Sequence, residues 1–167
     1  ATPELYLALG LSHFNFGSYA RAIANCDRAL SLDAKFDRAA LLKGRAYARL
    51  SNPGEATRWL RKSLAWNADC DFCRYELATV LAGNGGDAEA EALLRQVLTT
   101  NPRNSAAHYR LGRMLSARND AAGAIAEFEA AIAADPDHDS AYYQLSRLYA
   151  ARGDAARAAS ARAAVKR

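Results

Sequence analysis

Cys70 and Cys73 stand three residues apart in Cys70-Asp71-Phe72-Cys73, a spacing that joins two soft nucleophiles in this chain of 167 residues. A CxxC pair closes a disulfide or exchanges thiols, and its first sulfur is activated when it sits at a helix N-terminus. A zinc site needs further Cys or His ligands, and none is near in sequence. No histidine follows Cys73 to suggest haem attachment. The pair reads either as a disulfide with a redox role or as two packed thiols. A second chemistry-bearing set recurs at a constant interval of 34 residues: Tyr75, Tyr109 and Tyr143 in one column, Arg45, Thr79, Arg113 and Arg147 in another, with Arg110 beside Tyr109. Tyrosine offers a flat apolar face with a hydroxyl, and arginine grips a carboxylate through two parallel hydrogen bonds. Together they suit an extended acidic peptide. His13, His108 and His138 are scattered and read as packing residues. No Ser or Cys, His and carboxylate set points to one pocket. Gly83-Asn84-Gly85-Gly86-Asp87 lacks the Lys and Ser/Thr of a phosphate loop. No catalytic residue, metal or cofactor is expected.

The interval that spaces these residues spaces the whole chain. Gly10, Gly44, Ala78, Gly112 and Ser146 fall in one column, and Ala22, Ala56, Ala90, Ala124 and Ala158 in another, at shifts of 34. Leu9, Leu77, Leu111 and Leu145 share a third, and Cys26, Leu60, Leu94 and Phe128 a fourth, which places Cys26 in the core. Within a unit the apolar period is helical, as in Leu111, Leu115, Ala124, Phe128 and Ile132. Turn residues break each unit into two helices, and Ser18, Asn52, Asp120 and Asp154 stand where the second helix needs an N-cap. Small residues are required where two antiparallel helices cross closely. One pair cannot bury its own apolar face, so stacking supplies the core.

These columns resemble the tetratricopeptide repeat (TPR) family, in Tyr6, Leu9-Gly10, Tyr19, Ala22 and Ala29 of unit one and Leu111-Gly112, Ala124, Phe128, Ala131 and Pro136 of unit four. Units run at about 3–36, 37–70, 71–104, 105–138 and 139–167, the last truncated, in a single domain over 1–167. Unit two departs most: Lys43 takes a leucine column, Ala40 the first aromatic column and Ser63 an alanine column, so looser packing is expected there. Ala34 and Ala68 replace the terminal proline, which puts helix boundaries in question. The resemblance implies an all-α, right-handed α-solenoid of antiparallel helix pairs whose first helices line a concave groove.

On that frame the groove-facing columns are Leu7, Leu41, Tyr75, Tyr109, Tyr143 and Leu11, Arg45, Thr79, Arg113, Arg147. The peptide-binding reading rests on Arg45, Tyr75, Thr79, Tyr109, Arg110, Arg113, Tyr143 and Arg147, against the alternative that the tyrosines only pack between first helices. The carboxylate clamp of chaperone-binding relatives is missing: Leu7 and Leu11 stand where a Lys and an Asn are wanted, and Glu76 would repel a ligand carboxylate. Trp59 and Trp66, on one helix, cover the outer side of unit two unless Trp59 is exposed as a second contact surface.

Three functions therefore compete. The first is a non-catalytic interaction scaffold with an acidic protein or peptide partner. The second is an assembly or spacer segment that docks, or forms a homodimer, through an apolar N-terminal edge of Leu5, Leu7 and Leu11. The third is a redox role for Cys70 and Cys73. Apolar residues make 51% and charged residues 24% of the chain, which excludes disorder and collagen. Charges interrupt every apolar stretch, so no membrane span is expected. A net charge of +4 with acidic residues interspersed ranks nucleic acid last.

Overall fold

Five times along the chain the turn after a first helix holds a residue in the left-handed backbone region at the same place. In the computed structural model, which describes residues 2–165, the left-handed residues Gly17, Ser51, Gly85, Asn119 and Gly153 lie in one 34-residue column with φ between 56° and 84°. The next amide N–H then folds back onto a carbonyl five residues earlier, Ser18 to His13 at 2.8 Å, Asn52 to Tyr47 at 3.0 Å and Asp120 to Leu115 at 3.0 Å. This 6→1 bond terminates the first helix and turns the chain for the second.

The ten helices among the described residues are α1 (Pro3–Asn15), α2 (Tyr19–Leu32), α3 (Asp37–Arg49), α4 (Pro53–Trp66), α5 (Asp71–Leu81), α6 (Asp87–Thr100), α7 (Ser105–Ala117), α8 (Ala121–Ala134), α9 (Asp139–Ala151) and α10 (Ala155–Ala164). First helices start at 3, 37, 71, 105 and 139 and second helices at 19, 53, 87, 121 and 155, so the repeat is kept to the residue. Ala34 and Ala68 leave these boundaries unchanged. Lys166 and Arg167, at the end of the fifth unit, lie outside the described residues, as does Ala1.

Capping follows side-chain reach. Asn52, Asp120 and Asp154 accept from the backbone N–H of Glu55, Gly123 and Arg157 at 3.2, 2.9 and 3.0 Å. Ser18, expected to do the same, makes no side-chain cap bond. Its ψ is 62°, whereas Thr2 caps α1 from an extended backbone at ψ 161°. With the backbone so turned, the longer Asn and Asp side chains reach the helix and the one-atom-shorter serine hydroxyl does not.

The chain divides into two compact units, Ala1–Leu93 and Leu94–Arg167, with the boundary inside α6. In the first, Leu7, Phe14, Ala22, Cys26, Ala29, Ala39, Leu42 and Ala46 form one buried cluster. The glycine column permits it: a Cβ on Gly10 would lie 3.1 Å from Leu42 Cδ2. In the second, Ala124, Ile125, Phe128, Ala131, Leu145 and Tyr149 form the core, and a Cβ on Gly112 would meet the Phe128 ring at 2.8 Å. Both small columns are buried throughout, from Gly10 to Ser146 and from Ala22 to Ala158.

Unit two corrects the expectation of looseness. Lys43 is 7% exposed. Its ammonium pairs with Asp27 and sits 3.8 Å from the centroid of the Trp59 ring. A lysine stem can fill a leucine site when its charge reaches a partner and an aromatic face. Ser63, also fully buried, donates its hydroxyl to the Asp37 carbonyl at 2.9 Å, which satisfies it in an alanine column. Trp59 is half-buried and donates from its indole nitrogen to Glu55 at 3.1 Å.

The N-terminal edge is corrected too. Leu7 is 4% exposed and packs in the core instead of facing a groove, and Leu11 lies half-buried against it. The exposed apolar residues of this edge are Leu5 at 51%, Leu9 at 43% and Phe16 at 84%. Leu9 therefore departs from its column, since Leu77, Leu111 and Leu145 are buried. Lys43 in that column shows what covers it: the second helix of the preceding pair. Among the described residues no helix stands on that side of α1.

Candidate peptide-binding face

The columns singled out in the sequence lie on first helices, and the structure gives their members different surroundings. In the first unit Arg45 projects from α3 between two aromatic rings, 4.8 Å from the centroid of Phe14 on α1 and 5.2 Å from that of Phe72 on α5. Its Nε lies 3.2 Å from Glu76 Oε1, also on α5. Both members of this pair are largely screened from water, with side chains 26% and 19% exposed. Arg45 thus ties three first helices together, and its charge is already matched. Tyr75 and Leu41 are half-buried. The Thr79 hydroxyl is enclosed and meets no hydrogen-bond partner, so it faces packing instead of solvent.

In the second unit Tyr109 is a packing residue. Its ring lies 5.6 Å from Phe128 and 4.7 Å from His138, so it bridges α7, α8 and the start of α9. Tyr143, on α9, is instead 55% exposed, with the Arg147 guanidinium 5.9 Å from its ring centroid. Arg113 and Arg147, one repeat apart on α7 and α9, are both exposed, while Arg110 is half-buried. This face offers an aromatic plate and two guanidinium groups to solvent.

The histidines do more than pack. His108 holds Glu127 Oε2 at 2.7 Å through Nδ1 and the Pro102 carbonyl at 3.0 Å through Nε2. His138 caps α9, accepting from the Ala141 N–H at 3.3 Å. Cys26 is buried in the core, and burial pushes its thiol up to about 12, with Asp27 adding and Lys43 opposing. Tyr149 is held above its ordinary value by burial and by its hydrogen bond to Glu129. At the last cap, the Arg157 backbone N–H holds the Asp154 carboxyl below the ordinary range.

Cys70 and Cys73 are joined in a disulfide. Cys70 is also the N-cap of α5, its sulfur accepting from the Cys73 N–H at 3.1 Å. Sequence reasoning missed the Arg45 cluster, although Phe14, Phe72 and Glu76 stand 31 residues before, 27 after and 31 after it. Those spacings, close to one repeat, were the available signal.

The tetratricopeptide repeat family model matches residues 7–69, 75–139 and 115–167. No curated protein matches the sequence. Solved structures share the fold at low identity. MamA from Desulfovibrio magneticus is 20% identical with a TM-score of 0.85, over 98% of this chain and 92% of that one. The Pseudomonas aeruginosa protein pilF is 19% identical with a TM-score of 0.91, over 98% and 74%. YrrB, a TPR protein with an unusual peptide-binding site, is 24% identical with a TM-score of 0.74, over 96% and 82%.

Proposed function

Because the chain belongs to the tetratricopeptide repeat family, we propose that it is a non-catalytic interaction scaffold that holds an extended, acidic segment of a partner polypeptide on its first helices. The observation that supports this most is the exposed set Tyr143, Arg147 and Arg113. Exposed arginines beside an aromatic plate are pre-placed to take carboxylates in bidentate bonds while the ring covers apolar backbone. Arg45, Tyr75 and Thr79 of the first unit, and Tyr109 and Arg110 of the second, are held in the packing of their own units and contribute less direct contact. YrrB, alike in fold and described by its peptide-binding site, supports the ligand class. No helix among the described residues is long and apolar enough to cross a membrane.

The test is a titration of the chain against arrayed extended peptides of graded acidity. Binding tightens with peptide acidity and weakens with salt, and Arg113→Ala plus Arg147→Ala lowers affinity by at least about tenfold, the loss of one to two charge-assisted hydrogen bonds. Equal affinity for acidic and neutral peptides, or for wild type and double variant, rejects the reading.

A second reading, self-association of two copies through α1, is favoured by the exposure of Leu5, Leu9 and Phe16. Sedimentation over a range of concentrations decides it: a mass that rises with concentration and falls back in Leu9→Ser supports it, and a constant monomer mass removes it.

A further inference from the structure

The two sulfurs of the Cys70–Cys73 disulfide face different surroundings. Cys73 is fully buried, its Sγ 3.4 Å from the Ser63 hydroxyl on α4. Cys70 is partly exposed at the end of the α4–α5 loop, and Phe72 beside it is 48% exposed. Of the two, Cys70 therefore lies nearer to solvent, and Cys73 is closed off from it. Cys70 also occupies the N-cap of α5, where the free N–H groups and the positive end of the helix dipole favour an anionic sulfur. Three charged groups lie close to it in sequence, and a fourth is tied to the preceding loop. Asp71 is paired with Arg74 at 2.6 Å, Arg74 also donates to the Ala68 carbonyl, Asp69 is exposed, and Asp37 across on α3 accepts from Asn67 at 2.8 Å. Arg74 offsets the charge of Asp71, and the helix end acts on Cys70 against the remaining charge of Asp69 and Asp37.

We propose that Cys70–Cys73 is a thiol–disulfide exchange site for a dithiol, with Cys70 as the reacting sulfur and Cys73 as the departing one. A thiolate of the incoming dithiol attacks Cys70 Sγ, a mixed disulfide forms, and the Cys70–Cys73 bond breaks with its electron pair on Cys73. Cys73 takes a proton from water and remains as a buried thiol against Ser63. The second thiolate of the dithiol then attacks the sulfur bound to Cys70 and releases Cys70 as a thiolate at the head of α5. Two electrons pass from the dithiol, which becomes a disulfide, to the cysteine pair. In the reverse direction the same Cys70 thiolate is the nucleophile, so one sulfur serves both.

The repeat supplies variants that keep the fold. Position 73 is alanine in three other units, Ala39, Ala107 and Ala141, all fully buried, so Cys73→Ala restores a residue the column already accepts. Position 70 is an N-cap column that also holds Thr2, Asn104 and His138, so Cys70→Ser keeps a capping side chain. Cys26, buried and with its thiol pushed to about 12, stays silent in the folded protein.

The probes are reduced dithiothreitol for the wild type and glutathione disulfide for the variants, read by intact mass under native conditions. Expected are two new thiols in dithiothreitol-treated wild type and a single glutathione adduct on Cys73→Ala. That adduct forms at about pH 6 at least about tenfold faster than on an unstructured cysteine peptide, because the helix N-terminus favours the anionic sulfur. Cys70→Ser acquires no adduct. A folded wild type whose disulfide resists dithiothreitol, a Cys70 no faster than the peptide, or equal adducts on both variants overturns the assignment.

Discussion

Arg45 in the first unit and Arg147 in the second occupy one repeat column, yet one is locked into packing and the other stands in solvent. The difference lies in what the neighbouring first helices bring. Arg45 meets Phe14 from α1 and Phe72 and Glu76 from α5. Further along the same register, Arg113 has Ser140 and Gln144 where Arg45 has Phe72 and Glu76, and Arg147 has Ser116 where Arg45 has Phe14. A side chain of the right type in the right column is thus made structural or available by residues about 30 positions away. The first unit's arginine binds its own helices; the second unit leaves two exposed to solvent.

The units also differ in what burial does to titratable groups, and alkali separates them with the largest expected effect. Cys26 fills a core column that holds Phe128 in the second unit. Its thiol is raised from 9.0 to about 12 in the folded chain. The folded state keeps its proton longer than the unfolded state, so the contribution is fully present below about pH 9 and is lost as pH climbs toward 12. The slope is about 1.4 kcal/mol per pH unit in that window. Tyr149 raises the same kind of demand in the second unit, starting from an ordinary value of 10.0. Urea unfolding at several pH values checks this: Cys26→Ala, somewhat less stable at neutral pH, loses stability more slowly than wild type above about pH 9. Parallel curves for the two proteins would remove the buried thiol from the account.

Next in size is the arginine pair itself. Arg45→Ala removes a half-buried ion pair and two ring contacts and is expected to cost about 1–2 kcal/mol of stability. Arg147→Ala changes stability by less than about 0.5 kcal/mol, as exposed substitutions do. Thermal melts of the two variants side by side read the contrast, and an equal shift would erase the distinction between a structural and an available arginine.

The repeat was legible because its marks are local and recur: small residues where helices cross, alanine in the second helix, turn residues at one interval. What crosses between helices was not. Lys43 looked like a flaw in a leucine column because its partners, Asp27 and Trp59, lie 16 residues to either side and neither belongs to the repeat pattern. Counting along a helix places Leu7 in the groove, whereas its burial depends on α1 meeting α2 and α3. His138 and Cys70 escaped notice as caps because a ring nitrogen or a sulfur accepts less often than an Asn or Asp oxygen. In the candidate site, Tyr143 and Arg147 are exposed, while Tyr109 packs because Phe128 and His138 flank its ring.

The smallest contrast concerns the turns, where each unit holds one left-handed residue that is not glycine. Ser51 has φ 56° in the first unit and Asn119 has φ 62° in the second. A Cβ is strained in that region, more for serine than for asparagine, whose short amide tolerates it. The column already contains Gly17, Gly85 and Gly153, so glycine is compatible at either site. Relief of strain is opposed by the greater freedom glycine gives the unfolded chain. Ser51→Gly is therefore expected to gain about 0.5–1 kcal/mol and Asn119→Gly about half of that or less. Chemical unfolding of each single variant measures it. A larger gain at Asn119 than at Ser51 would mean that the first unit's turn is held by contacts other than its backbone bond from Asn52 to Tyr47.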